Sequence, residues 1–330
     1  MIIAEAGVNH NGDVARAVDL VYAAAEADAD YVKFQAFTSD QLVAGGAKTA
    51  VYQAKNTGVS DQGDLLRSLE LSPDEFARVA DACRSAGIGF MATAFDTDKI
   101  DYLVSLGMDR LKIASGELTN APALEKFASF HLPILLSTGM STLFEVREAL
   151  EILDRAGAHD VTVLHCTSLY PAPYDTLNLL AIRTLSEAFG LPVGFSDHSL
   201  GDHAVMAAVA LGASVIEKHF TLDRGLPGPD HRASLEPGEL TRMVSRLREV
   251  EIALGDGVKA PSADEIETAA LVRRSWHTSR ALSAGSVIGV DDVVLKRPAD
   301  GLHPTLSPVG SRLVRDLDAD APVSQSDIEI

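Results

Sequence analysis

Eight short apolar runs, each bounded by turn residues, recur along the first two thirds of this chain of 330 residues. Most of them are separated by amphipathic stretches, rich in Ala, Leu and Glu, that are long enough for a helix. A strand followed by a helix, repeated eight times, predicts an α/β fold in which a closed parallel (β/α)₈ TIM barrel is formed. The predicted strands are Met1–Gly7, Tyr31–Phe37, Gly89–Phe95, Arg110–Gly116, Pro133–Gly139, Val161–Thr167, Pro192–His198 and Val215–Thr221.

The chain divides into two predicted domains. Residues 1–258 form the predicted barrel, which the helix Pro237–Leu254 completes. Residues 259–272 are predicted to be a linker, because Gly, Pro and Ser residues occur in this segment or just before it. Helical periodicity fades in residues 273–330, which predicts a small, mainly β domain. We expect this domain to act as a cover. The long gap Thr38–Leu71 reads as an extended loop that emerges on the catalytic face of the barrel, as a lid or substrate wall.

The formal net charge is −19, from 28 basic and 47 acidic residues, and it argues against binding to nucleic acid or to anionic membranes. There are two cysteines, Cys83 and Cys166, which cannot form a disulfide framework. The N-terminus does not resemble a signal peptide, and no apolar run approaches the roughly 20 residues that span a bilayer. We therefore expect a cytoplasmic protein.

Polar side chains stand at the carboxyl end of nearly every predicted strand, where the active site of a TIM barrel is built. A purely structural barrel would place Val, Ile and Leu there, so this pattern predicts an enzyme. These residues include Glu5, Lys33, Gln35, Thr93, Lys112, Ser115, Glu117, Ser137, Ser168, Tyr170, Ser196, His198, Glu217 and His219.

The chemistry of this set is that of an anion and metal site. Two lysines and several hydroxyls can hold a phosphate and a carboxylate. His198 and His219 end neighbouring strands, and two imidazoles with water and carboxylates suit Mn²⁺, Zn²⁺, Fe²⁺, Co²⁺ or Mg²⁺. The alternative for each histidine is a hydrogen-bonded residue at the top of the barrel. Asp230 lies in a loop rich in Gly and Pro. The alternative to a loop over the top of the barrel is a surface turn.

Long contiguous motifs resemble the sialic acid synthase family, which includes the N-acetylneuraminate, legionaminate and pseudaminate synthases. These motifs are IIAEAGVNHNGD, VKFQAF, KIASGELTN, LLSTGM, LHCTSLYPAP, GFSDHSLG, VIEKHFTLDR and GPDHRASLEP. The tail, with RRS and KRPADG, resembles the antifreeze-protein-like (SAF) domain of that family. The resemblance covers the whole chain in order.

The resemblance implies condensation of phosphoenolpyruvate with an N-acylated mannosamine-type sugar and water, which gives a nonulosonic acid and phosphate. The sugar is N-acetylmannosamine or 2,4-diacetamido-2,4,6-trideoxymannose, and the phosphate leaves by C–O cleavage of a tetrahedral intermediate. His198 and His219 are implied ligands of a divalent metal, Mn²⁺ with Mg²⁺ or Co²⁺ as alternatives, which acts as a Lewis acid on the aldehyde. Glu5 and Glu117 are implied candidates for proton transfer. Phosphoenolpyruvate is implied to contact Lys33, Thr93, Lys112, Ser115, Ser137, Ser168 and Ser196.

The sugar is implied to contact Gln35, Tyr170, Asp230 and Arg297. In the family, an Arg from the small domain of one subunit reaches the sugar in its partner, and Arg297 in KRPADG matches it. This implies a domain-swapped homodimer in which the small domain caps the barrel. Ser168 stands where some family members have Asn, which bears on which sugar is used.

Other functions remain open at the level of sequence. One alternative is a different phosphoenolpyruvate–aldose synthase, of the pseudaminate type or acting on a sugar phosphate, although the strand ends show no spare Arg cluster. A metal-dependent hydrolase would be expected to carry His-x-His on its first strand, where this chain has Glu5. A barrel that has lost catalysis and binds carbohydrate would be expected to lack the lysines or histidines, and these are present.

Overall fold

Eight parallel strands pair in chain order, and the last pairs with the first, so that the sheet closes into a barrel. The fold is seen in a computed structural model that describes residues 1–329. The predicted TIM-type barrel is therefore confirmed. Its strands are β1 (Ile2–Gly7), β2 (Tyr31–Ala36), β3 (Gly89–Ala94), β4 (Leu111–Ile113), β5 (Ile134–Ser137), β6 (Val161–Cys166), β7 (Val193–Asp197) and β8 (Val215–His219).

Helices follow the strands and bury their apolar faces against the sheet. The helix Pro73–Ala86 shows the local rules: Ser72 and Glu75 form a capping box, proline occupies its first turn, and Gly87 ends it in the left-handed conformation. The helices of the first unit are α1 (Val14–Glu26), α2 (Ser39–Leu42), α3 (Val51–Thr57), α4 (Gln62–Arg67), α5 (Pro73–Ala86), α6 (Ile100–Ser105), α7 (Ala121–Ala128), α8 (Leu143–Arg155), α9 (Ala181–Phe189), α10 (His203–Ala210) and α11 (Pro237–Leu254).

The insertion between β2 and β3 differs from the extended loop that the sequence predicts. It contains three short helices, α2, α3 and α4. Local capping residues mark the start of α4 and the end of α3. Asp61 caps α4 through its side chain, and Gly58 ends α3 with φ of +74°. Isolated helices of this length are marginal in water, so contacts with the rest of the unit must hold them in place.

The barrel lumen is layered. Its floor is an apolar cluster of inward-facing residues that fills the end of the barrel away from the strand carboxyl ends: Ile3, Met91, Leu135, Leu164 and Val215. Two residues further along each of these strands, the same face carries Glu5, Thr93, Ser137, Cys166 and Glu217. Because side chains alternate along a strand, this polar layer sits directly above the apolar floor.

The chain separates after Gly255 into a second compact unit that begins at Asp256. This unit holds α12 (Ala263–Val272), β9 (Ser275–Thr278), β10 (Val293–Lys296), β11 (Arg312–Leu313) and β12 (Ile328–Glu329), with the strands in two small antiparallel sheets. Its core consists of Leu282, Ile288, Val293, Leu313, Leu317 and Val323. The segment 259–272, read as a linker, therefore includes a helix, which Ser262 and Glu265 cap.

The described part of the chain contains no helix that is both long enough and apolar enough to cross a membrane.

Candidate active site

A cluster of four buried charges lies in the polar layer of the lumen. Lys33 Nζ lies 2.7 Å from Glu5 Oε2 and 3.6 Å from Glu217 Oε2, and Lys112 Nζ lies 3.6 Å from Glu217 Oε1. Lys33 also donates a hydrogen bond of 3.0 Å to Thr93 Oγ1. The register of β1, β2 and β8 places Glu5 beside Lys33 and His219. Both lysines are paired with carboxylates, and an incoming anion can replace a carboxylate as the partner of a lysine.

The two carboxylates of this cluster differ in acidity. Burial would raise the pKa of Glu217, but Lys112, Lys33 and the Ser196 hydroxyl more than offset it and lower that pKa to about 2. Burial raises the pKa of Glu5 to about 7, despite the opposing effect of Lys33. Burial thus makes Glu5 the less acidic of the two carboxyl groups, and a raised pKa suits a group that takes up and returns protons.

Hydroxyl groups surround the backbone of Gly139, just beyond β5. The Gly139 N–H donates a 2.9 Å hydrogen bond to Ser115 Oγ, and Ser137 Oγ is buried without a hydrogen-bond partner. A Cβ atom added to Gly139 would lie 2.3 Å from Ser168 Oγ and 2.9 Å from Ser115 Oγ. The missing side chain thus leaves room between Ser115, Ser168 and Cys166, and the two serine hydroxyls can donate to phosphate oxygens.

Replacement of Gly139 by alanine is expected to weaken anion binding. The added methyl group would occupy the space between Ser115 and Ser168, and such overpacking costs about 1–3 kcal/mol. We expect the KM for phosphoenolpyruvate to rise about tenfold or more, measured by phosphate release, with the far-ultraviolet circular dichroism unchanged. Gly45→Ala is the matched control, because no atom lies within 4 Å of its added Cβ. Equal KM values for Gly139→Ala and wild type would contradict this role.

His198 and His219 lie side by side at the ends of β7 and β8, with ring centroids 5.4 Å apart. His198 donates from Nδ1 to the Thr167 carbonyl at 2.8 Å, which leaves its Nε2 for a ligand. Burial holds the pKa of His219 well below its ordinary value, and His219 Nδ1 is buried without a hydrogen-bond partner. Burial would lower the pKa of His198, but Cys166 and the Thr167 carbonyl outweigh it and raise that pKa. Once both rings are deprotonated, imidazoles at this spacing fit two ligands of one divalent ion.

No third protein ligand is evident in the described part of the chain, because residues 1–329 contain no group of three or more His, Cys, Asp or Glu side chains arranged to hold a metal. The remaining positions around an ion on His198 and His219 would have to come from water or substrate.

The predicted sugar contacts lie in different surroundings. Gln35 donates to Glu5 Oε1 at 3.2 Å, and the Tyr170 ring packs against His198 with centroids 4.1 Å apart. Asp230 is buried, and burial raises its pKa to about 6 despite the lowering effect of His198. The structure thus brings Gln35, Tyr170 and Asp230 to the same end of the barrel as the histidines.

Two further predicted residues are less buried than the members of the charge cluster. Glu117 is half-buried on the turn after β4, and it accepts a 2.6 Å hydrogen bond from Asn120 Nδ2. Arg297 follows β10 in the second unit, where it is exposed. The roles predicted for both remain predictions.

The loop that carries Asp230 is fastened by the loop after β1. Asn11 Nδ2 donates to the Pro227 carbonyl at 2.7 Å, and His231 hydrogen-bonds both Asn11 Oδ1 and Thr221 Oγ1. Its glycines and prolines suggested a surface turn as the alternative, yet Asp230 and His231 are both buried. The loop therefore forms part of the site wall.

The stability of the barrel is expected to fall in acid because of His10. Burial, followed by Arg16, lowers the pKa of this fully buried histidine from 6.5 to about 4, and its Nε2 has no hydrogen-bond partner. The unfolded chain takes up the proton more readily, so stability is complete above pH 6.5 and falls between pH 6.5 and 4. The contribution is at most about 3 kcal/mol.

Urea denaturation at pH 7, 5.5 and 4.5 measures this effect, and His10→Asn is expected to flatten the dependence. His159→Asn is the control, since the side chain of His159 is 77% exposed. Parallel pH profiles for wild type and His10→Asn would argue against the assignment.

Two residues of this site were not assigned a role from sequence. Glu217 was recognised as a polar strand-end residue, but its ion pairs with both lysines were not foreseen. The feature of the sequence that indicated a role for Glu217 was its position two residues before His219, on the same inward face of β8. Gly139 carried no chemical signal, because its part is to leave space.

Comparison with known proteins gives a consistent result along the chain. The model of the NeuB family matches residues 20–259, and that of the SAF domain matches residues 273–329. The chain is 48% identical to the N,N'-diacetyllegionaminic acid synthase of Legionella pneumophila, over 96% of this chain and 91% of that protein. It is 44% identical to the Campylobacter jejuni protein of the same name, over 92% and 91% of the two chains.

A solved structure is also similar. The N-acetylneuraminic acid synthetase of Leptospira borgpetersenii, crystallised in complex with citrate, is 36% identical with a TM-score of 0.73. The match covers 81% of this chain and 89% of that one.

Proposed function

Because the chain belongs to the NeuB family, whose named synthases condense phosphoenolpyruvate with sugars, we propose that it joins phosphoenolpyruvate, an N-acylated mannosamine-type sugar and water into a nonulosonic acid, with release of phosphate. The observation that carries the proposal is the pair of buried lysines, Lys33 and Lys112, in a lumen that also holds Ser115 and Ser168 around Gly139. Such a set can bind a phosphate and a carboxylate together.

The proposed sugar is 2,4-diacetamido-2,4,6-trideoxymannose. The two relatives described above are named for a product with two N-acetyl groups. Condensation with phosphoenolpyruvate adds carbon and oxygen but no nitrogen, so both acetamido groups must already be present on the sugar. Of the two sugars left open by the sequence, only this one carries both.

The proposed reaction assigns a task to each part of the lumen. Lys33, Lys112 and the serines hold phosphoenolpyruvate, so that its C3 can form a bond to the aldehyde carbon. Water adds at C2, and the C2–O bond to phosphate then breaks. In our proposal, Glu5, whose pKa is raised by burial, takes and returns the proton that water loses.

The proposed metal site is His198 with His219. A divalent ion bound there, Mn²⁺ in our proposal with Mg²⁺ or Co²⁺ as alternatives, would supply Lewis acidity to the aldehyde oxygen. The residues themselves contribute two imidazoles, one of which is oriented by the Thr167 carbonyl, and metal binding requires both in the deprotonated form.

The test is a product assay with the purified protein. Phosphoenolpyruvate and Mn²⁺ are incubated with the trideoxy sugar, N-acetylmannosamine or N-acetylmannosamine 6-phosphate, and products are identified by mass spectrometry beside phosphate release. We expect a nine-carbon keto acid from the trideoxy sugar and its loss on addition of a chelator. Metal content and Mn²⁺ binding by calorimetry, compared with His198→Ala, measure the site independently of turnover. No product from any sugar would refute the proposal.

Arg297 tests the proposed domain-swapped homodimer. If the second unit of one copy supplies Arg297 to the sugar of the other, Arg297→Ala should raise the KM for the sugar about tenfold and leave that for phosphoenolpyruvate unchanged. The exposed Arg312 offers a control in the same unit. An unchanged sugar KM would remove the assignment, and sedimentation would test the dimer directly.

We also propose a cytoplasmic location, which the two unpaired cysteines support.

A further inference from the structure

Three rings form a row that runs outward from the candidate metal site. Tyr170 packs against His198 with centroids 4.1 Å apart, and Tyr52 stacks on Tyr170 at 5.3 Å with an interplanar angle of 21°. Tyr170 follows β6, whereas Tyr52 belongs to α3 in the insertion between β2 and β3. The row therefore joins two segments that are far apart in sequence.

The position of Tyr52 is not explained by packing of its own helix. No residue of α3 is fully buried. The two ends of the segment that carries α3 are joined by Thr49, which donates hydrogen bonds to the carbonyls of Ser60 and Val59. Asn56 Nδ2 donates to the Pro229 carbonyl at 2.8 Å, which fastens α3 to the loop that carries Asp230. These contacts hold the ring of Tyr52 beside the site instead of inserting it into the apolar core.

A buried carboxylate, that of Asp230, acts on the Tyr52 hydroxyl. Burial and then the Asp230 carboxylate raise the pKa of the Tyr52 hydroxyl, while burial raises that of Asp230 and His198 lowers it. The wall thus offers aromatic rings and a carboxylate.

Resting on the proposed function, we propose that Tyr52 is a specificity-determining residue: with Tyr170 it forms an apolar wall for the C5–C6 end of the sugar. His198 and His219 mark the position of the aldehyde at C1, and Tyr52 lies beyond Tyr170 on the side away from them. A methyl group at C6 packs against a ring face without losing hydration, whereas a phosphate there would meet the Asp230 carboxylate. The wall favours a 6-deoxy sugar and disfavours a 6-phosphate.

Steady-state kinetics of Tyr52→Ala with the three sugars of the product assay tests this inference. We expect the KM for the trideoxy sugar to rise about tenfold, as for a lost hydrophobic contact, and its advantage over N-acetylmannosamine to shrink by a similar factor. The KM for phosphoenolpyruvate should stay within about twofold. Tyr52→Phe keeps the ring and should restore the wild-type preference, and Tyr22→Ala, at an exposed position of α1, is the control.

The outcomes separate the inference from the function on which it rests. Wild-type turnover of the trideoxy sugar, with an unchanged sugar KM and preference in Tyr52→Ala, overturns the inference alone. An equal loss toward phosphoenolpyruvate and sugar also overturns it, because it indicates general damage to the barrel mouth. Wild-type inactivity with all three sugars refutes the proposed function and the inference with it.

Discussion

Replacement of Lys112 by methionine is expected to lower kcat/KM for phosphoenolpyruvate by about a thousandfold. Lys112 is buried in the lumen, and its ammonium lies 3.6 Å from Glu217 Oε1. Removal of a preorganised cation that faces a reacting anion costs about 10²–10³ in rate. The substitution also removes the largest of the interactions that lower the pKa of Glu217. Where that carboxylate stays ionised, it is a less compensated negative charge at the place where an anionic substrate must bind. Methionine keeps the length of the side chain, so the barrel should remain folded.

Phosphate release with varied phosphoenolpyruvate measures this effect, with the sugar held saturating. Lys126→Met is the matched control, because Lys126 forms an exposed pair with Asp101 on the barrel surface and such pairs contribute little. Retention of more than about a tenth of wild-type kcat/KM would show that Lys112 does not hold the substrate.

Lys218→Met is expected to destabilise the barrel unit by about 3–5 kcal/mol, because it breaks a buried ion pair. Lys218 and Asp197 are paired neighbours on β8 and β7, their side chains are fully buried, and Nζ lies 2.5 Å from Asp197 Oδ2. Lys218 also donates to the Ser199 carbonyl, and Asp197 Oδ1 accepts from the Ser199 N–H. Without the ammonium, the Asp197 carboxylate would remain buried and unpaired.

Urea denaturation followed by far-ultraviolet circular dichroism measures this loss. The single tryptophan, Trp276, lies in the second unit, so its fluorescence reports on that unit separately. The double variant Asp197→Leu/Lys218→Met removes both charges and should recover part of the stability. A loss below about 1 kcal/mol in Lys218→Met would contradict the expected cost of the unpaired carboxylate.

The positions of the barrel strands could be predicted from local patterns. Apolar runs in a strand that is buried on both faces are continuous, and each is closed by turn residues. The predicted run Pro133–Gly139, for example, contains the observed β5 with a residue or two to spare at each end. The run Arg110–Gly116 overshoots further, because Ser115–Glu117 leaves the sheet as a turn of 3₁₀ helix. Strand ends depend on backbone pairing, which the pattern of one segment does not contain.

The insertion before β3 shows a second limit. As a long gap between two predicted strands it was expected to be an extended loop, whereas α3 is held by contacts with residues as distant as Pro229. Helices this short are not stable alone, so their presence follows from tertiary contacts. The role inferred for Tyr52 depends on the same contacts.

By itself, the sequence determined which side chains line the candidate site. The alternation of side chains along each strand placed Glu5, Lys33 and Lys112 on the inward face, and that alternation is a local property of an extended backbone. Tertiary structure alone decided which of them touch. Closure of the barrel pairs β8 with β1 and brings Glu217 to both lysines, and the meeting of the β4, β5 and β6 ends leaves the space at Gly139. Contacts of this kind depend on strand register and on the absence of a side chain, and neither is written in the residue types of a single segment.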